Sequence, residues 1–65
     1  MTNIDKLKLR LAMIQGKSFR IAAAAIWPND EGGYHVSRTS GPGENIPRLD
    51  TYCLETAIAT FENWM

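Results

Sequence analysis

Apolar residues recur along residues 3 to 15 with two different periods. At helical spacing Ile4, Leu7, Leu11 and Ile14 share one face, and Thr2-Asn3-Ile4-Asp5 has the form of a capping box at its start. Gly16 suits the position just past a helix end, where a left-handed residue stops the turn, with Lys17 beyond it. At strand spacing Lys6 through Met13 alternate, with Leu7, Leu9, Leu11 and Met13 on one side and Lys6, Lys8 and Arg10 on the other. Residue choice favours the helix, because Lys, Leu, Arg, Ala, Met and Gln are strong helix formers and β-branched residues are almost absent here. Leu9 and Met13 then project on the side away from the main stripe. Two apolar sides on one short helix predict a second packing partner, such as another subunit.

Residues 18 to 27 run apolar until Pro28. As a strand they place Phe19, Ile21, Ala23, Ala25 and Trp27 on one face and Arg20, Ala22, Ala24 and Ile26 on the other. The alanines are poor strand formers, so a Ser18-capped helix ended by Pro28 competes with this reading. The downstream sequence decides for the strand. Pro28-Asn29-Asp30-Glu31-Gly32-Gly33 is dense in turn residues and leads into Tyr34-His35-Val36-Ser37-Arg38-Thr39, which together predict a hairpin with a longer loop. Ser40 to Pro47, with Gly41, Pro42, Gly43 and Pro47, cannot be regular throughout.

The last segment carries the clearest pattern. Asp50 or Thr51 is placed to cap a helix in which Leu54, Ala57, Ile58, Phe61 and Met65 form one stripe, with Leu49 and Leu54 at the spacing of a hydrophobic staple. The chain is therefore expected to form a single α+β domain over residues 1 to 65, in the order helix-strand-strand-helix. A three-stranded antiparallel sheet followed by the C-terminal helix is the alternative. A two-stranded hairpin is marginal alone and needs helices or a partner strand, which pairing of two subunits at a sheet edge would supply.

Size sharpens that expectation. A chain of 65 residues buries only about 60% of its unfolded surface, so it has one small core and no room for a second domain. The single cysteine, Cys53, excludes an internal disulfide, and one His with one Cys falls short of a conventional zinc site, so no metal or cofactor is expected. Oligomerisation is the remaining staple, and a homo-oligomer is expected. Hydrophobic residues at 45% and charged residues at 22% fit a folded domain. No run approaches the ~20 apolar residues of a membrane span, and the N-terminus does not read as a secretory signal, so a cytoplasmic protein without membrane contact is expected.

The zero net charge hides an asymmetry. Residues 1 to 20 carry Lys6, Lys8, Arg10, Lys17 and Arg20 against Asp5, whereas residues 21 to 65 carry Arg38 and Arg48 against Asp30, Glu31, Glu44, Asp50, Glu55 and Glu62. The five N-terminal bases are the candidates for phosphate contacts in a nucleic-acid reading, set against a solvated face that answers the acidic half. A pI near 6.5 and the lack of aromatic residues among those bases oppose nucleic acid.

A second candidate site is the segment Ser37 to Gly43, where Arg38, Thr39, Ser40, Gly41 and Gly43 combine a guanidinium, hydroxyls and glycine-freed backbone N–H groups suited to an anionic small molecule. It matches neither phosphate-loop nor dinucleotide spacing, and a plain connecting loop explains it as well. His35 could act as a base beside a carboxylate and Cys53 as a nucleophile at a helix start, but nothing around either forms a catalytic pattern. An enzyme is not expected, since 65 residues rarely enclose a shaped pocket. Trp27, Tyr34, Phe61 and Trp64 are many large aromatics for so small a core, and Trp27 and Trp64, with Leu9 and Met13, are the candidate interface residues.

These observations describe a small self-associating interaction module that binds a macromolecule or sequesters a ligand. The size and lack of motif would suit a phage or mobile-element accessory or inhibitor protein. Nucleic-acid binding through the N-terminal bases and capture of a nucleotide-like anion by residues 37 to 43 are the alternatives.

Overall fold

The computed structural model describes residues 1–38 and 47–65. It is an α+β domain with a helix at each end, α1 (Asn3–Ile14) and α2 (Leu54–Trp64). Between them lie four strands, β1 (Phe19–Ile21), β2 (Ala24–Pro28), β3 (Tyr34–Arg38) and β4 (Arg48–Thr51), paired antiparallel in chain order. Both helices pack on the same face of this meander.

Local chemistry explains α1. The Asp5 N–H donates to Thr2 Oγ1 at 3.1 Å, and the Thr2 N–H donates back to Asp5 Oδ2 at 3.3 Å, closing the capping box. At the other end Gly16 takes φ 71°, its N–H donating to the Met13 carbonyl and that of Lys17 to the Ala12 carbonyl, the paired bonds of a Schellman stop.

The expected hairpin forms between β2 and β3, with Ile26 opposite Val36 and Trp27 opposite His35. Its loop is built by Asn29, whose Oδ1 accepts from the N–H groups of Glu31 and Gly33, each at 2.9 Å. A side chain at Gly33 would meet the Thr51 carbonyl at 2.9 Å, so the loop packs directly on the end of β4.

Two strands go beyond the expected pair. The run from Phe19 to Pro28 is folded back on itself at Ala22-Ala23, with Ile21 opposite Ala24. Alternation alone cannot reveal this, because no Gly, Asn or Asp marks the turn and Ala22 itself takes φ 53°. The fold-back reverses the inward set, so that Phe19, Ile21, Ala24 and Ile26 share the helix-covered face. Residues Arg48 to Thr51, read from sequence as the approach to a helix, instead pair with β3. Asp50 and Thr51 are thereby engaged opposite His35 and Tyr34, and α2 begins later, with Cys53 at its N-cap and no side-chain capping bond. The hairpin finds its partner strands within its own chain.

The core is small and centres on Phe61, which is fully buried among Leu9, Met13, Ala24, Ile26, Val36, Ala57 and Ile58. Its ring lies 5.9 Å from that of Phe19 at 44°, a tilted aromatic contact. Burying a side chain such as Phe61, Ile26 or Leu9 stabilises the fold by about 1.5–3 kcal/mol each, a large part of what so small a domain has in hand.

α1 docks with the side that the periodicity relegated. Leu9 and Met13 are 0% and 7% exposed, so they belong to the chain's own core and are not placed at an intersubunit surface. Ile4, Leu7, Leu11 and Ile14, expected inside, are 64%, 67%, 53% and 83% exposed. Helical spacing identifies apolar sides but not which one its own domain covers. Here α2 covers most of the sheet, and the strip left over β1 and β2 takes Leu9 and Met13 beside Phe61. Lys6 and Arg10 reach Glu62 and Glu55 of α2 and hold that orientation.

The turn yields a direct test. A left-handed alanine is strained by roughly 1–2 kcal/mol, and glycine gives back part of the difference through its greater unfolded-chain entropy. Ala22→Gly is expected to stabilise the domain by about 0.5–1 kcal/mol, raising the calorimetric unfolding midpoint by a few degrees.

Candidate functional site

The structure separates the residues that the sequence offered as sites. Of the five N-terminal bases, Lys6 lies 3.9 Å from Glu62 and Arg10 Nη2 lies 2.6 Å from Glu55 Oε1. The bipolar halves of the sequence are thus partly neutralised against each other across the two helices. Lys8 is exposed on α1, Lys17 follows the end of that helix, and Arg20 lies on β1 facing the side of the sheet without helices. They do not converge on one patch. Arg38 ends β3, exposed, with its N–H donating to the Pro47 carbonyl. Thr39, Ser40, Gly41 and Gly43 lie outside the described residues. Trp64 packs in part against the core, whereas Trp27 is on the helix-free face and 37% exposed.

Two surfaces are built by elements rather than by isolated residues. The first is the solvent side of α1. Ile4, Leu7, Leu11 and Ile14 form a continuous apolar stripe at spacings of three, four and three residues, on the opposite side of the helix from Leu9 and Met13. Four large aliphatics this exposed on one short helix form a contiguous apolar patch, unlike scattered surface leucines.

The second is the helix-free face of the sheet. Strand register assembles it in two cross-strand rows, one of Trp27, His35 and Asp50 and one of Arg20, Ala25, Ser37 and Arg48. His35 Nδ1 lies 2.6 Å from Asp50 Oδ1, and the imidazole centroid is 4.4 Å from that of Trp27. The histidine is thus held on one side by a carboxylate and on the other by an indole. The sequence allows His35 a place beside a carboxylate but does not identify Asp50, whose position and residue type suit a helix cap. Arg48 gives no signal of its own in the sequence and Ser37 stands out only as the start of the 37–43 segment, because their common row exists only once β4 pairs with β3.

Beyond Asp50 the sheet ends in an open cleft of about 460 Å³ lined by Asn29, Asp30, Glu31, Asp50, Thr51 and Tyr52. Its three carboxylates make it unsuited to an anion. Among the described residues no group of three or more His, Cys, Asp and Glu side chains could hold a metal ion, and no helix is long and apolar enough to cross a membrane. Comparison of the chain with protein-family models, with curated proteins and with solved structures found no match.

Cys53 is exposed at the start of α2, and its pKa is lowered chiefly by the nearby Thr56 hydroxyl and then by the Thr56 backbone N–H. A depressed thiol pKa raises the thiolate fraction near neutral pH, and thiolate is the reactive species. Thr56→Val is therefore expected to slow alkylation of Cys53 by iodoacetamide at neutral pH by about twofold or more, with the gap closing once the pH exceeds both thiol pKa values. Equal rates across the pH range would refute a role for Thr56.

Proposed function

We propose that the chain is a small self-associating interaction module, joined to a second copy through the exposed stripe of α1. The observation that carries this reading is the exposure of Ile4, Leu7, Leu11 and Ile14, between 53% and 83%, on a helix whose other side is already docked.

The spacing supports a second copy as occupant. Steps of three, four and three residues are the alternation of core positions in a two-helix coiled coil. The order Ile-Leu-Leu-Ile is also the same read in either direction. A two-fold axis across the middle of α1 would set Ile4 against Ile14 of its mate and Leu7 against Leu11, which is the self-complementarity that a symmetric dimer requires. A stable dimer would also add buried apolar surface to a domain whose own core is small.

Charge gives this arrangement a signature. In an antiparallel pair the two Lys8 side chains fall on the same flank of the seam, while each Arg10 is occupied by Glu55 of its own subunit. Salt screens the Lys8 repulsion, so association should tighten as ionic strength rises. Nucleic-acid binding through the same bases would weaken with salt, and the engagement of Lys6 and Arg10 with glutamates speaks against it.

Sedimentation equilibrium across a micromolar to millimolar range tests the reading. The expected result is a dimer, and Leu7→Glu or Leu11→Glu should weaken it by at least about a hundredfold, the equivalent of about 3 kcal/mol. Circular dichroism should remain that of the wild type, because both side chains are largely exposed in the single chain. A wild-type protein that stays monomeric at millimolar concentration would overturn the proposal.

A further inference from the structure

The helix-free face of the sheet has a composition that the α1 seam does not explain. Its two rows lie two residues apart along the strands, roughly 6.8 Å at the rise of antiparallel chains. In the first row Trp27 offers a partly exposed indole, steadied by His35, which is itself held by Asp50. In the second, Arg20 on β1 and Arg48 on β4 stand at either side of two small residues, Ala25 and Ser37. With neighbouring strands about 4.8 Å apart, the two arginine backbones are roughly 14 Å apart, a gap that a pair of guanidinium side chains can close over one anion. Neither arginine takes part in an ion pair among the described residues.

The charge along this face is graded. Arg20 and Arg48 lie toward one end of the sheet, while Asp30, Glu31 and Asp50 surround the cleft at the other. An anion is thus drawn to the arginine row and repelled from the far end of the tryptophan row. What fits is a ligand with a negative charge at one end and a flat, neutral ring about one row away.

We propose that this face binds a nucleoside phosphate, the base lying on Trp27 and the phosphate taken between Arg20 and Arg48, with the Ser37 hydroxyl available as a further donor. Aromatic stacking tolerates any base, and guanidinium recognises phosphate through paired charge-assisted hydrogen bonds. The same unit occurs as a free nucleotide and within a single-stranded nucleic acid. The proposal rests on sheet residues alone and stands or falls separately from self-association.

The test uses Trp27 as its own reporter. The chain has two tryptophans, so Trp64→Phe leaves Trp27 as the sole indole, its fold checked by circular dichroism. Titration with adenosine monophosphate and with a short single-stranded oligothymidylate is expected to quench Trp27 saturably, while adenosine without phosphate binds at least about tenfold more weakly. Arg20→Ala and Arg48→Ala, both at exposed positions, should each weaken nucleotide binding by about tenfold. Comparable affinity for both ligands assigns the site to the free nucleotide, and an oligonucleotide preference that grows with length assigns it to a single strand. Absence of quenching by either ligand, equal affinity for adenosine, or indifference to both arginine substitutions would overturn the proposal.

Discussion

The fold depends on one requirement, that a single face of a short-stranded sheet be sealed by two helices whose side chains meet at Phe61. Phe61 shares one buried cluster with residues of α1, β2, β3 and α2, so the two ends of the chain become one core there. Fully buried Ala24 and Ala57 are part of the same requirement, since small side chains on β2 and α2 let helix and sheet approach closely. Once α2 is seated, only the strip over β1 and β2 is left for α1, and a narrow side carrying Leu9 and Met13 fits it.

That order of priority explains what could be read from the residues in advance. The helical ends were legible because their signals are local: a capping box at Thr2 and Asp5, a left-handed Gly16, and the stripe of Ala57, Ile58 and Phe61. The β2–β3 hairpin was legible because Asn29, Gly32 and Gly33 announce it. The turn at Ala22-Ala23 was hidden, since an alanine held at positive φ is imposed by the surrounding sheet and not chosen by its own preference. β4 was hidden because Asp50 and Thr51 have cap chemistry, and pairing with β3 outweighed it.

The candidate sites followed the same rule. Both apolar sides of α1 were visible as a periodicity, yet their assignment to core and surface came out reversed, because that choice belongs to the space α2 leaves and not to α1 itself. The rows on the helix-free face could not be read at all without strand register. Trp27, His35 and Asp50 are brought together by two successive strand pairings, and Arg20 meets Arg48 in one row only through three. Sites of this kind are properties of a sheet and leave no spacing in a linear sequence.

The two surfaces lie on opposite sides of the domain, one on α1 and one on the uncovered face of the sheet. The stripe on α1 faces away from the sheet that Leu9 and Met13 hold, so a two-fold pair of chains would stack as sheet, helices, helices, sheet, with both helix-free faces turned outward. Such an assembly is divalent by construction. Toward a ligand with one recognised group it would behave as two equal and independent sites, but toward a polymer repeating that group it could hold two segments at once, and retention would then depend on how far the polymer can bend around the particle.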